Sequence, residues 1–261
     1  MGGDIKSTCV RRENNQILIL QDTQACDILG PLQSPSVGHG ITNSKHGSGY
    51  PIRHGKLDME NDDLESGVKR LKNGGVVAIP TDTLYGLAAD VFSRSAIDRV
   101  FAVKGRPKDL ALPVLVSNWD QVVKISKNLP SPAQSLANRF WPGGLTLVVE
   151  KADGLPEQLT AGGPTVAVRM PAHPVPIHLI DRLGSPITGT SANISGGPDI
   201  PSLVELTDQI GGMVDHVIET GPEPKGIAST IIDITIGIPK LLRQGVIPFD
   251  SVLETWETGA K

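Results

Sequence analysis

The residues best suited to hold a small polar ligand follow an apolar run that ends at residue 80. Val76–Pro80 predicts a buried strand, and two hydroxyls and a carboxylate come directly after it, Thr81-Asp82-Thr83. The end of a rigid strand fixes the direction of such groups, so a ligand can meet several donors and acceptors at once. The sequence therefore predicts a polar binding site where this strand ends.

Three cations lie close together in one short loop: Lys104, Arg106 and Lys108. One interpretation is structural, because Gly105 can end a helix and cations at a helix C-terminus interact favourably with its dipole. The other is functional, because neighbouring cations repel one another unless an anion lies between them. An arginine fork beside a lysine suits a polyphosphate, and the residues alone leave both interpretations open.

Polar groups also follow a later predicted strand, 187–190. Ser191, Asn193 and the glycines after them offer hydroxyls, a carboxamide and backbone N–H groups that suit a phosphate, although ordinary strand exits have the same composition. Arg169 and Arg243 each close an apolar run. Each is either a solvent-facing strand end or a clamp for an anionic group.

The sequence lacks the motifs of several other chemistries. It contains neither a G-x-x-x-x-G-K-[ST] phosphate loop nor a G-x-G-x-x-G fingerprint after a strand. His173, His178 and His216 are scattered and have no cysteine near them, which argues against a metal centre. Ser191 lacks the G-x-S-x-G elbow of a hydrolase nucleophile. The predicted site is rich in cations and hydroxyls but poor in nucleophiles. This composition favours a reaction promoted by positioning the substrates and by electrostatic stabilisation, as in nucleotidyl or phosphoryl transfer.

Alternating helical and strand periodicities from residue 56 to about 250 must position these groups. Apolar residues at i, i+4 and i+7 predict a helix through Leu64, Val68 and Leu71, and Ser93 or Ser95 is predicted to cap a second helix ending at Gly105. Further helices are predicted at 119–126, from 131 onward, and at 175–183 and 203–210. Further strands are predicted at 112–116, 145–150, 166–169, 187–190, 214–219, 230–234 and 240–243. The alternation predicts an α/β fold in which helices flank one twisted, open, mixed sheet.

Composition narrows the class of protein. Of the 261 residues, 39% are hydrophobic and only 3% aromatic, so the core must consist mainly of Val, Ile, Leu and Ala. A net charge of −4 gives no global basic field for nucleic acid. No apolar run approaches the roughly 20 residues that span a bilayer, and a cytoplasmic protein is expected.

The two ends of the chain differ from its centre. Residues 1–55 are rich in Gly, Ser, Asn and Gln, and we expect a variable extension that does not pack, with a targeting role left open. Cys9 and Cys26 both lie there and are expected to be reduced. A catalytic domain is expected over residues 56–250, and a short tail over 251–261.

Seven segments in a fixed order resemble the YrdC-domain family, the threonylcarbamoyl-AMP synthases. They are IPTDTLYGLAAD, KGRPKDLALPVLV, FWPGGLTLVVE, TVAVRMPAHP, GTSANISG, ASTIIDIT and LLRQG. The resemblance as a whole covers about Leu64 to Val246. The resemblance implies the YrdC/RibB-like fold, a twisted sheet around a deep positive cavity, in its short, single-domain type. The sequence departs from the family pattern at Ala111-Leu112, where Pro-Leu is usual, and at Gly144, where Pro is frequent.

The resemblance also implies a reaction. Family members make L-threonylcarbamoyl-adenylate from L-threonine, bicarbonate or CO2, and ATP, and release pyrophosphate, which makes them nucleotidyltransferases. Mg²⁺ would be carried by the ATP phosphates, with no metal site in the protein. The product serves the t6A modification of tRNA, through separate threonylcarbamoyl-transferase machinery and with direct tRNA contact left open.

Site residues follow from the same resemblance. L-Threonine would be bound by Thr81, Arg169, Gly189 and Ser229. ATP would be held by Lys104, Arg106, Lys108, Thr165, Ser191, Asn193, Asp199 and Arg243, and catalysis would rest on Lys104, Arg106, Ser191 and Asn193. Two alternatives stay open: a carbamoyl-adenylate former of the hydrogenase-maturation kind, and a double-stranded RNA or tRNA-binding module without synthase activity.

Overall fold

The computed structural model describes residues 9–13, 16–20 and 61–259, in a chain that divides into two units, Met1–Gly55 and Lys56–Lys261. In the first unit, strand β1 (Cys9–Glu13) pairs antiparallel with strand β2 (Gln16–Leu20). The remaining residues of the expected variable extension, including Cys26, lie outside the described residues. The expectation for that segment therefore stays a prediction.

The described part of the second unit contains seven α-helices. They are α1 (Asn61–Lys72), α2 (Arg94–Lys104), α3 (Trp119–Ile125), α4 (Pro132–Phe140), α5 (Pro174–Leu183), α6 (Leu203–Ile210) and α7 (Phe249–Gly259). The predicted boundaries of α2 are confirmed. The Ser93 hydroxyl accepts a hydrogen bond from the backbone N–H of Ala96 at 3.3 Å. Gly105 ends the helix with a left-handed φ of 56°, a conformation that glycine adopts without strain.

The predicted α/β fold with mixed β-structure and flanking helices is confirmed, and within residues 61–259 the strands form two sheets where a single one was expected. The strands are β3 (Val77–Ile79), β4 (Gly86–Ala88), β5 (Val114–Leu115), β6 (Leu145–Glu150), β7 (Thr165–Arg169), β8 (Ile187–Thr188), β9 (Thr190–Ser191), β10 (His216–Val217), β11 (Thr230–Asp233) and β12 (Lys240–Arg243). One sheet has the order β10-β3-β4-β9 and the other β12-β11-β6-β7-β5-β8. Strand β4 was not predicted, because two of its three residues, Gly86 and Ala88, are types that are depleted in strands.

Gly189 is the point at which the chain changes sheets. The predicted strand 187–190 is broken there into β8, which pairs with β5, and β9, which pairs with β4. A Cβ at position 189 would lie only 2.5 Å from Leu115 Cγ, so the backbone passes where a side chain would not fit.

One face of the six-stranded sheet packs into the larger of two apolar clusters. Val166 and Val168 of β7 share a core cluster with Leu145 and Leu147 of β6 and with the buried residues of α4. Side chains alternate between the two faces of a strand, so Thr165 and Arg169 lie on the opposite face from these valines. The face with the valines packs against α3, α4 and α7. On the opposite face, Leu115 and Ile187 join a second buried cluster, and Arg169 brings a charged group to the end of β7.

Helix α7 occupies most of the segment 251–261 that was expected to form a short tail. Val252, Thr255 and Trp256 are buried, at a spacing that places them on one side of the helix, which packs on α4. None of the helices within residues 61–259 is long and apolar enough to cross a membrane.

Candidate active site

A tight turn after β3 presents the first group of polar side chains. The Thr81 hydroxyl accepts hydrogen bonds from the backbone N–H groups of Thr83 and Leu84, both at 3.2 Å, and donates to the Leu84 carbonyl at 2.7 Å. Thr81 is buried, and its hydroxyl is used to close the turn. The turn directs Asp82 and Thr83 toward the end of β7.

Arg169 is clamped by three acceptors at that end. Its Nε donates to the Gly143 carbonyl at 2.8 Å, its Nη1 to the Thr83 hydroxyl at 2.8 Å, and its Nη2 to Asp82 Oδ1. Only 8% of the Arg169 side chain and 10% of the Asp82 side chain are exposed. Burial lowers the pKa of Arg169, and the Asp82 charge opposes that shift. The interpretation of Arg169 as a solvent-facing strand end is therefore wrong.

Lys104 holds the loop that follows β9. Its side chain is buried, and the Nζ donates to the carbonyls of Ser191 and Asn193, the latter at 2.7 Å. Its backbone carbonyl accepts from the Ser195 N–H at 2.8 Å. Burial, and secondarily the Arg106 charge, lower the pKa of Lys104 to about 8, while Asp199 opposes the shift.

The loop is also bonded internally. The Ser191 hydroxyl donates to Asn193 Oδ1 at 2.6 Å, and Asn193 Nδ2 donates to the Gly197 carbonyl at 2.6 Å. Residues 191–197, which we call the serine–asparagine loop, are therefore shaped by their own side chains and by Lys104.

The three cations of the 104–108 loop do not converge. Arg106 donates to two backbone carbonyls of the following turn, at 3.3 and 3.0 Å, and burial lowers its pKa. It lies close enough to Lys104 to affect the lysine pKa, as does Asp199. Lys108 instead forms an ion pair with Asp98 at 2.8 Å, with 68% of its side chain exposed. The structure does not bring Lys108 to the other two cations.

A third group lies at the start of β11. The Ser229 hydroxyl is 2.8 Å from the Thr146 hydroxyl, and Arg243 Nη2 donates to it at 3.0 Å. Arg243 also donates to the Ser229 carbonyl from Nε at 3.1 Å and from Nη2 at 2.8 Å. Arg243 thus positions Ser229.

The segment from Thr81 to Ala88 ties these groups together. The Thr83 carbonyl accepts from Gly226 N–H at 2.8 Å, near Ser229 in the chain. The Tyr85 carbonyl accepts from Ala192 N–H at 2.9 Å, and β4 pairs with β9. Thr165 stands apart, on the same face of β7 as Arg169 but four residues earlier, which is about 13 Å along a strand.

Sequence reasoning missed Gly143 and Thr146 as members of the site. Gly143 contributes only a carbonyl, which no side-chain pattern reveals. Thr146 did carry a signal, because it is a lone hydroxyl within the apolar strand β6. No group of three or more His, Cys, Asp or Glu side chains that could hold a metal occurs within the described ranges.

The fold and these groups define an α/β protein with a buried arginine clamp and a lysine-held loop on neighbouring strand ends. The Sua5/YciO/YrdC family model, whose description is Telomere recombination, matches residues 69–245. The chain belongs to this family.

Similar proteins support the assignment. The threonylcarbamoyl-AMP synthase of Pyrococcus abyssi is 41% identical over 182 residues, which are 70% of this chain and 54% of that protein. The Bacillus subtilis protein of the same name is 35% identical over 198 residues, 76% of this chain and 57% of that one. The crystal structure of P. abyssi Sua5 complexed with L-threonine matches with a TM-score of 0.71 at 38% identity, covering 74% of this chain and 56% of that one. The chain therefore spans little more than half the length of these relatives.

Proposed function

We propose that this protein is a nucleotidyltransferase that synthesises L-threonylcarbamoyl-adenylate from L-threonine, bicarbonate or CO2, and ATP, and releases pyrophosphate. Its product would serve the t6A modification of tRNA, which separate transferase machinery would carry out. The observation that carries the proposal is the buried Arg169 clamp tied through residues 81–88 to the loop held by Lys104. The names of the P. abyssi and B. subtilis relatives and the threonine complex of P. abyssi Sua5 support it.

Arg169 is the group suited to the threonine carboxylate. A guanidinium has five N–H donors, and the bonds to Gly143, Thr83 and Asp82 use three of them. Two remain for an incoming carboxylate, which binds arginine well in a two-pronged geometry. Ser229, held by Arg243, and the side-chain-free backbone at Gly189 would complete the threonine end.

Lys104, Arg106 and the serine–asparagine loop are suited to the ATP phosphates. The Lys104 ammonium has three N–H donors and uses two on loop carbonyls, so one remains for a phosphate oxygen. A bound polyphosphate would also relieve the repulsion between Lys104 and Arg106. Thr165 lies on the same face of β7 as Arg169 but at the opposite end of the strand. It would therefore contact a part of the nucleotide distant from Arg169. Mg²⁺ would be carried by the phosphates, which provide the hard oxygen ligands that it prefers.

The protein would promote the reaction by holding the substrates in the right positions. L-Threonine arrives as a zwitterion, and its ammonium group gives up one proton to solvent. The neutral amine then adds to CO2 and loses a second proton, which gives a carbamate group with one negative charge. A carbamate oxygen attacks the α-phosphorus of ATP, and the bond to pyrophosphate breaks. Lys104 and Arg106 would stabilise charge on the phosphates as it moves toward the leaving group.

Pyrophosphate release tests the proposal. The full reaction should release pyrophosphate only when L-threonine, bicarbonate and ATP are all present, and omission of any one should reduce the signal to background. Lys104→Ala should lose the activity. Lys127→Ala should keep it, because Lys127 is half exposed and its ion pair within residues 61–259 is with the exposed Asp153. Pyrophosphate release that does not depend on threonine would refute the proposed reaction.

A further inference from the structure

The acidic partner of Arg169 has an open acceptor. Asp82 Oδ1 accepts from Arg169 Nη2, and within residues 61–259 no donor reaches Asp82 Oδ2. The neighbouring His173 does not supply a charge to Asp82, because its Nδ1 accepts from the Val175 N–H and its Nε2 faces the Pro222 carbonyl. Burial also lowers the pKa of His173, which favours the neutral ring.

The charges of Arg169 and Asp82 cancel before any substrate arrives. Both side chains are about nine-tenths buried, at 8% and 10% exposure. A carboxylate that bound Arg169 alone would bring one uncompensated negative charge into this buried position beside Asp82, which is unfavourable. A zwitterionic head group brings a carboxylate and an ammonium on the same carbon, and its net charge is zero.

We propose that Asp82 Oδ2 receives the ammonium group of the substrate, so that Arg169 and Asp82 together select the zwitterionic head group of an α-amino acid. The inference rests on the proposed function, because it takes Arg169 as the carboxylate clamp. Asp82 then has two roles, to hold Arg169 and to discriminate against carboxylates that lack an α-amino group.

Thr83 provides a matched control for the first role. Its hydroxyl accepts from Arg169 Nη1 at 2.8 Å but carries no charge, so Thr83→Val loosens Arg169 without changing the charge balance. A residue that only positions Arg169 affects every carboxylate ligand equally. A residue that binds the ammonium affects only ligands that have one.

Calorimetric binding of L-threonine and of 3-hydroxybutyrate, which is threonine without its α-amino group, tests the inference. The wild-type protein should bind L-threonine at least about 10-fold more tightly, as expected for one charged hydrogen bond. Asp82→Asn should weaken L-threonine by roughly 10- to 100-fold and leave 3-hydroxybutyrate unchanged or tighter. Thr83→Val should weaken both by the same factor.

Two results would overturn the inference. One is equal affinity of the wild-type protein for the two ligands, which needs no variant. The other is an Asp82→Asn variant that weakens both ligands equally. If the wild-type protein bound neither ligand, the proposed function itself would fail, and this outcome is distinct from the first two.

Discussion

Replacing Lys104 by Met removes the ammonium group that holds the serine–asparagine loop but keeps a side chain of similar length. The carbonyls of Ser191 and Asn193 lose their charged donor. The backbone bond from Ser195 to the carbonyl of residue 104 remains. We therefore expect a folded protein with a loosened loop.

The expected change in stability is small because two effects oppose each other. Two hydrogen bonds from a charged donor contribute about 3–6 kcal/mol. The lowering of the Lys104 pKa from 10.5 to about 8 corresponds to a burial cost of about 3 kcal/mol that Met does not incur. The free energy of unfolding should thus fall by about 0–3 kcal/mol. Activity should fall much further, because both the loop geometry and the phosphate donor are lost.

Urea unfolding followed by tryptophan fluorescence, together with pyrophosphate release, measures both quantities on the same samples. Lys127→Met, at a half-exposed lysine, is the matched control and should change neither. A Lys104→Met protein that retained more than about a tenth of the activity would refute the reasoning, since that loss corresponds to less than 1.4 kcal/mol of transition-state stabilisation. A loss of stability well above 3 kcal/mol would show that burial of the charge had been assigned too large a cost.

Three further perturbations test other parts of the structure. The folded-state pKa of Lys104, about 8, lies below its ordinary value of 10.5, so the unfolded chain binds more protons between these pH values. The Lys104 contribution to stability should therefore rise from pH 8 to 10.5 while activity falls, and urea midpoints of Lys104→Met should lack that rise. Gly144→Ala should destabilise by about 1–3 kcal/mol, because its Cβ would lie 2.1 Å from Val246 Cγ1. Val246→Ala should restore most of this loss in the double variant, and equal losses with and without it would contradict the contact. Trp256→Ala should lower the free energy of unfolding by about 3–5 kcal/mol in urea titrations, and a loss under 1 kcal/mol would contradict the packing of α7 on α4.

Much of the fold could be predicted because long periodic elements reveal themselves locally. The helix through Leu64, Val68 and Leu71, the cap at Ser93 and the end at Gly105 all follow from spacing and cap chemistry. The division into two sheets could not be predicted. The chain changes sheets at Gly189, where the backbone passes close to Leu115, a residue that is distant in sequence.

Some features of the candidate site could likewise be predicted from the sequence, and others could not. The residue types pointed to a polar strand end at Thr81, and the structure brings Lys104 to Ser191 and Asn193, while the roles of these residues stay predictions. The pairing of Arg169 with Asp82 could not be predicted, because either residue alone is compatible with a solvated surface. The role that we propose for this pair in substrate recognition depends on the fold burying the two opposite charges together.

The most direct test of the central claim is mass spectrometry of the product formed from ¹³C-bicarbonate, L-threonine and ATP. The proposed reaction gives one species that contains threonine, the labelled carbon and AMP, and this species should be absent without threonine. A labelled product that forms without threonine, or AMP formation with no labelled adduct, would contradict the claim that one site joins the amino acid to the nucleotide.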